Sequence, residues 1–196
     1  MDIPSIEHAL FPLTTSFEEF GIPYHLTGSL AIHVYGKPGM GQGIEVVVDI
    51  KLSQVNALAT RLERQYAIKE GQLRTAILQR RSCDLLHSDT LQRLTLVLPP
   101  YRAYSQVQQE RAQLHTLAPG GRQFCLAAPE DVVLTLLERY KLSGQHHQRH
   151  WENILYILEV QASNLDLTHM RLWATALDMA QQLETALVVA RFAHVE

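Results

Sequence analysis

Apolar residues recur at three- and four-residue steps from Ser5 to Phe20, where Ile6, Leu10, Leu13 and Phe17 mark one face of a helix. Pro12 falls inside this run and is expected to break or kink it, with Thr14, Thr15 or Ser16 capping a second piece. Gly21 and Pro23 end the segment. A short extended run, Tyr24 to Leu26, then meets a Thr-Gly-Ser turn (Thr27, Gly28, Ser29). A short helical stretch from Leu30 to Tyr35 stops at Gly36, and a Gly-rich loop from Lys37 to Gly43 leads into Ile44 to Ile50. That last run reads as an apolar strand carrying Glu45 and Asp49. Helical spacing returns over Lys51 to Tyr66, with Ser53 as N-cap and Val55, Leu58, Ala59, Leu62 and Tyr66 as the apolar stripe.

Arg74 to Gln79 and Ser82 to His87 read as two short strands, the second interrupted by Asp84. An acid inside an apolar strand is costly to bury without a partner. Leu91 to Leu98 fits either a helix or a strand and ends at Pro99-Pro100. The Gln-rich stretch from Tyr101 to His115 reads as an exposed helix or loop, and Gly120-Gly121 turns into Arg122 to Ala127, expected as an edge strand. From Pro129 the pattern is helical. Pro129-Glu130-Asp131 suits the first turn of a helix, where acids meet the positive end of the dipole. A His-rich loop, Gly144 to His150, precedes Trp151 to Gln161, and Leu167 to Leu177 and Gln181 to Phe192 follow. The order of elements predicts an α/β (α+β) core over residues 1–127 and a C-terminal helical bundle over residues 128–196 packed on it.

Composition narrows the function more by exclusion than by indication. A chain of 196 residues that is 46% hydrophobic can bury one domain core. A net charge of -3 carries no footprint for broad nucleic-acid binding, although a local basic groove stays open. Cys83 and Cys125 have no metal-ligand spacing and read as buried, reduced thiols. Asp2, Pro4 and Glu7 interrupt any signal peptide, and no apolar run approaches the ~20 residues of a membrane helix, so a soluble, cytoplasmic protein with no membrane partner is expected.

Two groups of residues carry candidate chemistry. Gly28-Ser29 would place backbone N–H groups and a hydroxyl at a helix start, where an anion is favoured; the simpler reading is an ordinary strand-to-helix turn with Ser29 as N-cap. Glu45 and Asp84 could hold a divalent cation beside that turn, or could be solvated or paired with Arg80 or Arg81. Asp49 reads as a capping or loop residue, and Trp151 and Trp173 as core residues. His146 and His150 are four apart and could share a helix face as metal ligands, against the simpler reading of an exposed polar loop with His147.

Gly21-Ile22-Pro23-Tyr24, Gly28-Ser29-Leu30-Ala31, Tyr35-Gly36, Pro38 and the Ile44-to-Ile50 strand together resemble the opening of the DNA polymerase beta-type nucleotidyltransferases, in particular the small AbiEii-like and minimal types of prokaryotes. Asp84 matches the family's third carboxylate, and Ala128-Pro129-Glu130-Asp131 its Ser-Pro-Glu-Asp helix start. Trp151, Ile154 and Leu155, Leu165-Asp166-Leu167 and Arg171-Leu172-Trp173-Ala174 are similar to its later helices. The resemblance implies a mixed sheet flanked by helices. It also implies metal-dependent transfer of a nucleotidyl group from a nucleoside triphosphate (NTP), with Gly28-Ser29 gripping the triphosphate and Mg²⁺ on carboxylates.

The same resemblance marks departures. Gly43 stands at the first strand carboxylate and Glu45 at the second; Gly39 and Gly41 match an Arg-x-Thr, Leu136 a Lys and Asn153 an Asp. Glu45 and Asp84 are therefore the catalytic and metal-ligand candidates that stay acidic, and Gly28 and Ser29 the nucleotide-binding ones. The expectation is a degenerate site with weak or lost transfer. Two alternatives stand beside it: an active, metal-dependent enzyme of toxin-antitoxin type with an RNA or protein acceptor, and a non-enzymatic module that binds a nucleotide or a partner protein.

Overall fold

The computed structural model describes residues 2–36 and 43–192. The chain divides into two compact units, Met1–Leu30 with Gln42–Leu126, and Ala31–Gly41 with Ala127–Glu196.

The first unit is built on a seven-stranded mixed sheet. Its strands are β1 (Tyr24–Gly28), β2 (Ile44–Val48), β3 (Tyr66–Ala67), β4 (Cys83–His87), β5 (Arg93–Val97), β6 (Gln113–Thr116) and β7 (Gln123–Leu126), in the order β3-β4-β5-β2-β1-β7-β6. β1 runs antiparallel to β2 and parallel to β7, while β2 is parallel to β5. Side chains alternate across a strand, so register sorts them onto two faces. Tyr24, Leu26, Ile44, Val46, Val48, Leu85, Leu94 and Leu96 are buried on one face. Helix α1 (Ile3–Glu19) covers that face, with Phe17 against Tyr24 and His8 against His87. Helices α3 (Val55–Leu62) and α4 (Glu70–Gln79) pack beside it. Thr27, Glu45, Val47, Thr95 and Asp84 share the opposite face. Over one end of this face, helix α5 (Ala103–Arg111) is fastened by Gln109, whose Oε1 lies 2.9 Å from His25 Nδ1 and whose Nε2 donates to Tyr24 O at 3.0 Å.

Several expectations need correction. Helix α1 runs unbroken through Pro12. Its buried stripe, Ile6 to Phe17, lies on both sides of the proline, and that burial outweighs one missing hydrogen bond. Thr14 and Ser16 cap nothing; their hydroxyls donate to Phe11 O and Pro12 O one turn back. Arg74 to Gln79 is the second half of α4, not a strand: Leu73, Ala76 and Ile77 are buried at helical spacing, and Glu70 pairs with Arg74 at 2.7 Å. Ser53 sits inside a short 3-10 turn, Leu52–Gln54, and does not cap α3. Tyr66 belongs to β3, and its buried hydroxyl donates to Ala9 O at 2.5 Å. Arg122 to Ala127 is not the edge: β7 lies between β1 and β6, and the edge is the polar segment Gln113–Thr116, made a strand by pairing with β7.

The second unit holds residues of helix α2 (Ser29–Tyr35) with α6 (Pro129–Leu142), α7 (Gln148–Gln161), α8 (Leu167–Ala176) and α9 (Ala180–Phe192). Gln161 Nε2 donates to Tyr35 O at 2.8 Å, tying the end of α2 to α7. The acids at the start of α6 do more than meet its dipole. Both are buried: Glu130 accepts the Asp166 backbone N–H at 2.8 Å, and Asp131 lies 2.9 Å from His169 Nε2. Asp166 in turn caps α8 by accepting the His169 N–H at 3.0 Å. Trp151 and Trp173 are half-buried rather than core residues, and Trp151 packs its ring against Tyr140. Among the described residues, no helix is long and apolar enough to cross a membrane.

Two substitutions check these fastenings. Tyr66→Phe should destabilise the protein by about 1 kcal/mol, because it removes one buried hydrogen bond and leaves the ring in place. Asp131→Ala should cost about 2 kcal/mol, because it leaves the His169 nitrogen without its buried acceptor. Urea unfolding followed by circular dichroism measures both.

Candidate functional site

The register of the sheet brings the sequence-derived residues together. Thr27 pairs with Glu45, Glu45 with Thr95, and Thr95 with Asp84, so these four side chains form one row across β1, β2, β5 and β4. Gly28 ends β1 with φ +66, a left-handed backbone that glycine adopts without penalty. A Cβ at position 28 would lie 3.1 Å from the Glu45 side chain. Glu45 therefore rests against the bare backbone of the Gly-Ser turn. Ser29 opens α2, which has seven residues, and its hydroxyl donates to the carbonyl of Gly43. That bond joins the turn to the residue leading into β2. Gly28, Ser29, Gly43 and Glu45 thus converge.

Asp84 lies further along the row. Thr95 stands between it and Glu45, and two strand spacings set their backbones about 10 Å apart. Its carboxylate is engaged: Thr95 Oγ1 donates to Oδ1 at 2.7 Å and Arg93 lies 3.5 Å from Oδ2. Neither Arg80 nor Arg81 is the cation found on Asp84; Arg80 pairs with Asp49 at 3.2 Å and stacks on Tyr101. Asp49 follows β2 as a loop residue. A Cβ at Gly43 would meet nothing within 4 Å among the described residues, so no described acid fills that space. Gly39 and Gly41, with most of the Gly-rich loop, lie outside the described residues.

These residues do not fit a two-metal centre. Such a centre needs several carboxylates turned on shared ions. Here, among the described residues, Glu45 and Asp84 belong to no cluster of three ligating side chains. Within the second unit, Leu136 is buried in the apolar face of α6 and Asn153 is buried on α7, its Oδ1 without a hydrogen-bond partner among the described residues. The His147 and His150 rings meet at a tilt, and His150 falls in the first turn of α7 while His146 precedes it; among the described residues these histidines form no three-ligand cluster. Burial pushes the Cys83 and Cys125 thiols above their ordinary range, with Asp84 adding to the effect at Cys83, which disfavours the thiolate at both.

Two cavities flank the row in the first unit. One of about 610 Å³ is lined by Gly71, Thr75, Gln79, Arg81, Cys83 and Asp84. The other, about 630 Å³, lies at the far end of β2 among Val47, Asp49, Arg80, Tyr101, Ser105 and Gln109. Sequence reasoning passed over Thr95 and Arg93, because a Thr and an Arg in a short ambiguous run have no distinguishing pattern until pairing sets them beside Asp84.

No protein-family model and no curated protein sequence matches the chain. Solved structures do. An antigenic nucleotidyltransferase-like protein from Paracoccidioides brasiliensis is similar with a TM-score of 0.55 and 14% identity, over 94% of this chain and 92% of that one. The antibiotic-resistance factor ANT(2'')-Ia is similar with a TM-score of 0.54 and 12% identity, over 99% of this chain and all of that one (100%). At such identities the likeness is one of architecture alone: the chain shares the fold of these two proteins.

Proposed function

We propose that this chain is a nucleotidyltransferase-superfamily protein of the small AbiEii-like or minimal type whose nucleotidyl transfer is weak or lost, and that it keeps the Gly28-Ser29 turn as a place for an NTP. Two observations carry the reading: Gly43 has no side chain to offer as a ligand, and Asp84 is already engaged by Thr95 and Arg93. Phosphoryl chemistry of this kind relies on positioning and on neutralising charge that develops on the transferred group. Without the first carboxylate, an ion brought in by the triphosphate has Glu45 beside the turn and little else. Removing such a group lowers rates by orders of magnitude. The loss of a Lys at Leu136 and of an Asp at Asn153 points the same way.

A second reading rests on the fact that Glu45 and Asp84 still share one row and one face. In it, the two acids and Mg²⁺ support slow transfer to an RNA or protein acceptor, as a cytoplasmic toxin-type enzyme would. A third role, recognition of a partner protein by the unchanged fold, needs neither acid.

Incubation with labelled ATP, GTP, CTP or UTP and Mg²⁺ or Mn²⁺ separates these readings. The expected outcome is no label on RNA, on protein or on the chain itself above the level of Asp84→Ala. Label that Asp84→Ala abolishes would establish the active enzyme instead. Calorimetric titration of the same four nucleotides with Mg²⁺ should give saturable heat with at least one of them, reduced in Gly28→Ala, where a Cβ displaces Glu45. No heat with any nucleotide would leave the partner-binding role.

A further inference from the structure

Away from the Glu45 row, His8, His87 and Asp89 bring three ligand atoms within 4.8 Å of one another. They come from separate parts of the first unit: His8 from α1, His87 from the end of β4, and Asp89 from the turn that follows. We propose that these three side chains form a binding site for a divalent transition cation of the Zn²⁺ class, with water completing a tetrahedron. This site is independent of the nucleotide reading.

The donor set selects the cation. Two imidazoles and one carboxylate suit Zn²⁺ and its borderline neighbours, whereas Mg²⁺ and Ca²⁺ prefer oxygen alone. The geometry needs only small movements. At bond lengths near 2.0–2.1 Å, ligands of a tetrahedral Zn²⁺ stand about 3.3 Å apart. His8 Nε2 is 3.8 Å from Asp89 Oδ2, and the His8 and His87 rings meet edge to face with centroids 5.3 Å apart. His8 and Asp89 are 64% and 77% exposed, so both can close on an ion without disturbing the core.

His87 supplies the fixed corner. It is buried, between the His8 ring and the Tyr66 ring. Thr90 Oγ1 lies 2.9 Å from its Nδ1, which leaves Nε2 as the ring nitrogen for a ligand. With the proton on Nδ1, the ring donates to Thr90 and offers the Nε2 lone pair, the arrangement by which an outer partner orients a metal-binding imidazole. The Thr90 backbone N–H, 3.3 Å from the same nitrogen, suits the opposite tautomer, so an ion would select between the two.

The test is a titration of chelator-stripped full-length protein with Co²⁺, followed by its visible absorption, with Zn²⁺ added in competition. One equivalent should bind, with tetrahedral Co²⁺ bands that Zn²⁺ abolishes and excess Mg²⁺ does not. His8→Ala and Asp89→Asn, both at exposed positions, should each weaken binding about tenfold or more. A His146→Ala/His150→Ala double variant should bind as the parent does. Nitrogen NMR of the parent should show the His87 proton on Nδ1 once Zn²⁺ is bound. Absence of saturable binding, displacement by Mg²⁺, unchanged affinity in both exposed variants, or loss of binding in the double variant would each overturn the assignment.

Discussion

The antiparallel pairing of β1 with β2 sets Gly28 opposite Ile44 and Thr27 opposite Glu45, and in that register the Glu45 side chain lies against the Gly28 backbone. The rest of the candidate site depends on this approach. A side chain at position 28 would be strained by a φ of +66 and would push Glu45 out of its row. The same pairing brings Gly43 under the Ser29 hydroxyl, so the turn and the strand are linked twice within a few residues. Once β2 is placed, its parallel pairing with β5 and the β4–β5 ladder carry the row on to Thr95 and Asp84.

The sheet's two faces then take different work. One face is closed by α1, α3 and α4, and its aliphatic side chains provide the burial that sustains the unit. The other is covered in part by α5 through Gln109 and holds the polar row. An acid on a strand is tolerable there because the face is not sealed: Asp84 keeps half its surface in solvent and still finds Thr95. The second unit uses buried acids differently. Glu130 and Asp131 act as acceptors that join the start of α6 to the start of α8.

Much of this was legible along the chain. The spacing in α1, α3 and the C-terminal helices, the short strands around Leu26 and Val46, and the Gly-Ser turn follow from local patterns that neighbouring residues enforce. The misreadings have local causes too. Six residues from Arg74 to Gln79 are too few to separate helix from strand, and the stabilising partner, Glu70, lay outside the window. Pro12 signals a break because propensity counts the lost hydrogen bond and not the burial on either side of it. Gln113–Thr116 has no strand pattern, since its order comes from β7.

The sequence by itself determined most of the helices and the central strands, the α/β class, and the residues able to carry chemistry: Gly28, Ser29, Glu45 and Asp84. Those facts are properties of residue type and near-neighbour spacing. Only the tertiary structure decided that Gly28, Ser29, Gly43 and Glu45 meet, that Thr95 separates Asp84 from them, and that Arg93 rather than Arg80 is its cation. It also decided that His8, His87 and Asp89 stand together, though His8 and His87 are far apart in the chain. Such groupings depend on strand order and on how α1 lies on the sheet, and long-range pairing leaves no mark at the positions it joins.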